Sequence, residues 1–287
     1  MNFRKNPRLI STPIVVVLLS GLIVFLWKHR RSEPVYEGRS LTSWVSDFNR
    51  GPAEYKKARE AILAIGTNSL PVLLSLLRRP EEPWQNNWIR RINRLRLVRL
   101  KPRSSLPYPD QVVSAFIVLG TNARPALPQW DRIFRSSNHG IYAAEAMTLA
   151  LGRETLPYIA AGANDANAMV RSNAAVSLRN LASDPKSVAP LIVRGLADTD
   201  AGVRMRARWL ADDLSRHNRS GYIDGLVATL GEREVGLKIA AIQELERLSP
   251  PGTNAISELR RAAEHSNPRV RNAALGALKP QENSPRD

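Results

Sequence analysis

The 287-residue chain contains no cysteine, which rules out disulfides, thiolate metal sites and cysteine nucleophiles in any compartment. Its formal net charge is +16, distributed as +6 over residues 1–31, +2 over 32–79, +4 over 80–110 and only +4 over 111–287. A basic nucleic-acid groove running the length of the chain would need its charge throughout, so this distribution speaks against one.

In chain order, residues 1–8 form a short basic tail. Leu9 to Trp27 (LISTPIVVVLLSGLIVFLW) is a run of 19 residues without a charge, enough for one helix to cross the hydrocarbon core. Pro13 and Gly21 are tolerated in such a helix, and Trp27 sits at its edge as interfacial aromatics do. A cleaved secretory signal and a soluble buried helix are the competing readings. The length of the run, and Lys28-His29-Arg30-Arg31 directly after it with no small-x-small site, favour an uncleaved anchor. Three cations precede the span and three follow it, so charge alone does not orient it. The short leading tail favours a cytoplasmic N-terminus, a single pass through the cell's inner membrane and a main body on the extracytoplasmic side.

Residues 28–39 read as a polar juxtamembrane tether, and 40–52 as a capping helix. In the latter, Ser40 caps and Leu41, Trp44, Val45 and Phe48 recur at i, i+3, i+4 and i+7. Gly51-Pro52 closes it. A helix over Ala53–Ile65 follows, stopped by Gly66, with Asn68 capping the next helix and Pro71 in its first turn. The glycine-to-proline spacing of five returns at Gly120/Pro125 and Gly152/Pro157, and each marks the elbow of a helical hairpin.

The interval from Gly120 to Gly152 is 32 residues, but from Gly66 to Gly120 it is 54, so an insert lies at 80–109. Trp84, Trp88, Ile92, Leu95 and Val98 share one helical side. Arg90, Arg94 and Arg96 lie off it, Arg91 and Arg99 intrude on it, and Lys101 follows. Three readings stay open. The insert prolongs the first hairpin and packs on the helical stack, lies on an anionic membrane surface, or grips a protein, polysaccharide or nucleic acid. Trp84, Trp88, Arg90, Arg91, Arg94, Arg96, Arg99 and Lys101 are thus the candidate partner- or membrane-binding residues.

Beyond residue 165 the periodicity is most regular. Val170-Arg171, Val203-Arg204, Leu237-Lys238 and Val270-Arg271 recur at intervals of 33, 34 and 33, each followed by an alanine four residues after its aliphatic member. Asn167, Asp200 and Asn267 stand at the helix starts. Arg171, Arg204, Lys238 and Arg271 are expected to form a ladder to carboxylates in neighbouring turns that fixes the stacking. The last hairpin is incomplete, with one helix over Pro268–Leu278, and 280–287 reads as a disordered tail.

The phrases Asp198-Thr199-Asp200-Ala201-Gly202-Val203-Arg204 and Asn267-Pro268-Arg269-Val270-Arg271-Asn272-Ala273-Ala274 resemble HEAT repeats, of the HEAT-like class also found in phycobilisome lyase subunits. The resemblance covers about Ala53–Leu278. Anchor, Gly38-Arg39-Ser40-Leu41-x-x-Trp44 cap and Gly-Thr-Asn elbows together resemble bacterial membrane-anchored HEAT proteins. It implies an all-α fold, a right-handed α-solenoid of about six to seven hairpins over residues 53–279 behind one transmembrane helix, with protein-binding surfaces and no chemistry of its own.

The four histidines are scattered, and none stands at metal-ligand spacing from another histidine or an acidic residue; no phosphate loop or nucleophile elbow occurs. No cofactor is expected. Trp209 and Asp213 at i, i+4, flanked by Arg206, Arg208 and Asp212, faintly resemble the aromatic-plus-carboxylate groove of HEAT-like DNA glycosylases. The plainer reading is a surface tryptophan covering a neighbouring repeat, with Arg–Asp pairs in water. The expected function is a membrane-anchored protein-interaction scaffold without catalytic activity, held in the membrane by residues 9–27, with anionic lipid as a second contact. The alternative is a nucleic-acid-binding, glycosylase-like protein, which an outward-facing body would separate from DNA.

Overall fold

A computed structural model of the chain describes residues 33–78, 107–136, 140–248 and 252–282. The Leu9–Trp27 run and the insert residues Trp84, Trp88, Arg90, Arg91, Arg94, Arg96, Arg99 and Lys101 lie outside the described residues.

The segment expected as a tether ends in structure. Strand β1 (Val35–Tyr36) pairs antiparallel with β2 (Arg39–Ser40). The two-residue turn between them, Glu37-Gly38, has positive φ at both positions (48° and 71°), the backbone that matches the natural twist of a tight hairpin. Side chains further along hold it. Trp44 Nε1 donates to the Tyr36 carbonyl at 3.0 Å, and the Arg39 guanidinium lies 3.8 Å over the Trp44 ring and pairs with Asp47 at 2.6 Å. Helix α1 is shorter than its apolar spacing suggests, Leu41–Val45, yet Leu41, Trp44, Val45 and Phe48 are all buried.

Helix α2 (Pro52–Ile65) begins at the proline that was expected to end the preceding helix. Proline at the first helical position loses only an N–H that would have had no intrahelical partner. Helices α2 and α3 (Leu70–Leu77) meet at a 3₁₀ turn, Gly66–Ser69. Similar turns join α4 (Pro109–Leu119) to α5 (Leu127–Arg135) at Gly120–Ala126, and α6 (Gly140–Leu151) to α7 (Leu156–Ala163) at Gly152–Thr155. The three elbow glycines have φ of 60°, 52° and 55°, where a side chain is strained. Asn68 does not cap α3. Ser69 takes that position, and its hydroxyl donates to the Gly66 carbonyl at 2.6 Å, as Thr155 does to Gly152 at 2.7 Å.

The rest of the chain runs α8 (Ala168–Ser177), α9 (Pro185–Leu196), α10 (Ala201–His217), α11 (Arg219–Thr229), α12 (Val235–Arg247), α13 (Thr253–Ala263) and α14 (Pro268–Glu282). Asn167 accepts from Met169 N at 2.9 Å, Asp200 from Val203 N at 3.0 Å and Asn267 from Arg269 N at 2.9 Å. Helix α14 passes Pro280 rather than stopping at Leu278. The proline forgoes a single backbone hydrogen bond, to the Gly276 carbonyl, in the last turn.

The described residues are predominantly helical, and successive pairs lie side by side. α2 packs on α4, α4 on α6, α6 on α8 and α8 on α10, while α3 packs on α5, α5 on α7, α7 on α9, α9 on α11 and α11 on α13. The register shifts after α10, where α9 also packs against α12. Small residues allow this close approach. A Cβ on Gly225 would lie 2.6 Å from Ala189 Cβ, and one on Gly195 would lie 2.7 Å from Ala207 Cβ. One continuous apolar core runs from Leu41 to Ala277.

Among the described residues one helical stretch, Pro52–Leu77, is long and apolar enough to cross a membrane, with a mean hydropathy of 1.6. It is interrupted at Gly66, and its Ala58, Ala61, Ile62, Leu73, Leu74 and Leu77 are buried in the core, so length and composition are the whole case for it.

Candidate functional site

The four periodic cations do not all do the same thing. Arg171 grips Asp198 at the start of the following pair, with Nε to Oδ2 at 2.7 Å and NH2 to Oδ1 at 3.0 Å, and donates through NH1 to the carbonyls of Asp165 and Ala166. This forked contact is nearly buried. The guanidinium's hydrogen bonds hold the Asp198 carboxyl below the usual carboxylate range against the opposing effect of burial. Arg204 repeats only the second half, donating to the carbonyls of Asp198 and Thr199 at 2.8 and 2.7 Å. Arg271 donates to the His265 carbonyl at 3.2 Å, and Lys238 Nζ lies 3.4 Å from His265 Nε2. Arg171, Arg204 and Arg271 thus each close the turn before their own helix, whereas Lys238 reaches forward to His265 in the turn before the next one. The carboxylate contact is added at Arg171, because Asp198 lies opposite it.

A second ladder runs along the elbow edge. Arg124 pairs with Glu154 at 2.6 Å, Arg153 with Asp184 at 3.1 Å and Lys186 with Asp224 at 3.2 Å. The Ser187 hydroxyl, 2.6 Å from Asp184, is the main cause of that carboxyl's lowered pKa. These pairs are largely exposed, where ion pairs contribute little to stability. The sequence signal that could have found them is a separation of about 30 to 38 residues between opposite charges at elbow positions, close to the repeat period.

The arrangement around Trp209 departs from expectation. Arg208 pairs with Glu244 of α12 at 2.6 Å instead of with an aspartate in water. Glu244 is only 2% exposed, and also takes Arg247 at 2.7 Å and the Tyr222 hydroxyl at 3.5 Å. Burial, and then the charge of Glu244, push the Tyr222 phenol up; the hydrogen bond to Glu244 raises Arg247. Arg247 also lies 3.2 Å from Asp212 Oδ1, outside hydrogen-bond geometry. Centred on the buried Glu244 carboxylate, this network ties α10, α11 and α12 together. The sequence offered Arg208 and Asp212; Glu244, Tyr222 and Arg247 were hidden, because nothing in the local spacing distinguishes Glu244 from a solvated helix carboxylate.

Trp209 does not cover a neighbouring repeat. It is 61% exposed, one turn beyond Met205 at 47%. Asp213 lies on the same row and, contrary to the reading that no histidine stands beside an acid at ligand spacing, meets His217 at i, i+4 with Nδ1 3.2 Å from Oδ1. Among the described residues no group of three or more histidines and carboxylates is placed to hold a metal ion. Glu145 of α6 has a raised pKa, chiefly from burial and then from the charge of Asp110.

No family model matches the chain, and no curated protein matches it.

Proposed function

We propose that the protein is a membrane-anchored interaction scaffold: a right-handed α-solenoid of HEAT-like hairpins carried behind a single transmembrane helix at residues 9–27, with the solenoid on the extracytoplasmic side and another protein as its partner. The observation that carries this reading is the order of packing. Among the described residues successive helix pairs pack on one another, as they would in an array extended by repetition with long lateral surfaces. Ion pairs such as Arg171–Asp198, Arg124–Glu154 and Arg208–Glu244 hold one pair to the next. The binding work falls to the surfaces that remain, the second helices and the insert bearing Trp84 and Trp88.

Two measurements test it. Deletion of residues 9–27 should move the protein from the membrane fraction to the soluble fraction; a deletion variant as membrane-bound as the full chain contradicts the anchor. Affinity capture with the full chain in detergent should enrich a defined protein partner over a capture with an unrelated membrane-anchored domain. Equal recoveries contradict the scaffold. Salt-sensitive retention of DNA by residues 111–287 would favour the nucleic-acid alternative instead.

A further inference from the structure

We propose that the outer face of α10 is a docking site for an acidic segment of a partner protein, anchored by an apolar side chain on Trp209. The proposal rests on the scaffold reading and names the partner's chemistry. Val203, Ala207, Leu210, Ala211 and Leu214 fill the inward face of α10. The outward row therefore carries Met205, Arg206, Trp209, Asp213 and Arg216. Met205 and Trp209 are the exposed apolar pair, a thioether beside an indole, both residue types favoured where surfaces bind proteins.

Charge decides what can sit there. Asp212 faces Arg247, Arg208 is committed to Glu244, and Asp213 faces His217, whose imidazole offsets the carboxylate only when protonated. Arg206 and Arg216, three residues before and seven after Trp209, form no ion pair among the described residues. Two guanidiniums without an ion-pair partner thus flank Trp209, about 15 Å apart along the helix axis at ~1.5 Å per residue, with Met205 one residue outside them. An extended segment of about five residues spans that distance at ~3.3 Å each. The chain's own remaining segments are the wrong sign: residues 1–31 carry +6 and residues 80–110 carry +4. A second copy carries the same positive excess, +16 over the whole chain. Two point charges beside a carboxylate make a poor track for a continuous phosphate backbone. What fits is a short acidic stretch of another protein with a bulky apolar residue between its carboxylates.

The test uses full-length protein in detergent and fluorescence anisotropy of a labelled peptide with a Leu-Phe centre and two glutamates on each side; a lysine-flanked version is the control. Wild type should bind the acidic peptide and not the basic one. Trp209→Ala and Arg206→Glu should each weaken binding at least about tenfold, and Arg260→Glu, an exposed cation on α13, should leave it within about twofold. Thermal melts check folding, and two variants of different chemistry guard against a shared artefact. Failure of the acidic peptide to bind, or binding indifferent to both substitutions, overturns the site. So does competition by oligothymidine or by phosphatidylserine vesicles with the same dependence on Trp209. Specific protein capture by the full chain that survives Trp209→Ala would remove this site and leave the scaffold standing; absence of any specific capture would remove both.

Discussion

Single residues carry two kinds of charge in this protein. Those on the elbow edge are wet and contribute little, whereas Asp198 and Glu244 are withdrawn from water and depend on their guanidiniums. The pH dependence follows from Asp198. Its folded pKa lies below the unfolded value of about 3.9, so its contribution to stability is complete above that value and is lost as pH falls through the lower, folded one. Asp198→Asn should therefore be less stable than wild type in urea at pH 7, and the gap should close at strongly acid pH. A gap independent of pH would mean that Asp198 acts only through neutral hydrogen bonds. Glu244 makes a larger claim. Glu244→Ala takes the shared carboxylate from Arg208 and Arg247 and the acceptor from the buried Tyr222 hydroxyl; because both guanidiniums are more than a third exposed and can turn to water, the cost in urea denaturation should be about 1–3 kcal/mol.

At the scale of helices, Gly225 gives the sharpest case. Glycine to alanine in a helix ordinarily stabilises, by up to about 1 kcal/mol. Here the added methyl would meet Ala189 Cβ at 2.6 Å and the Pro185 carbonyl at 2.9 Å, both fixed parts of α9. Gly225→Ala should thus destabilise, by about 1–3 kcal/mol, as overpacking does; a thermal melt shifted upward would contradict the close approach of α9 and α11.

Helix positions were legible in the sequence for a physical reason. Capping residues, elbow glycines and an aliphatic-cation-alanine phrase are local, and Asn167, Asp200, Gly120 and Gly152 act where their neighbours in sequence require. What was not legible depends on distant partners. The hairpin at Val35–Ser40 forms because Trp44 of the next helix and Asp47 of the turn after it hold it, and the Glu244 network assembles three helices. The role of Gly225 likewise appears only once α9 lies against it.

For the whole molecule, the proposed scaffold function would rest on the surfaces that stacking leaves unused, and on the side of the membrane they face. A reporter fused at the C-terminus should be active outside the cytoplasm; cytoplasmic activity would reverse the orientation and return the nucleic-acid reading to consideration. In the proposed scaffold the helical array binds protein. Its most direct measurement is photo-crosslinking in the native membrane with benzoylphenylalanine placed at Ala161 of α7, Ala228 of α11 and Trp209 of α10, all exposed positions. The account predicts discrete protein adducts of reproducible mass from at least one face of the array, lost when the membrane is solubilised in strong denaturant before irradiation. Illumination that yields no protein adduct from any of these positions would contradict it.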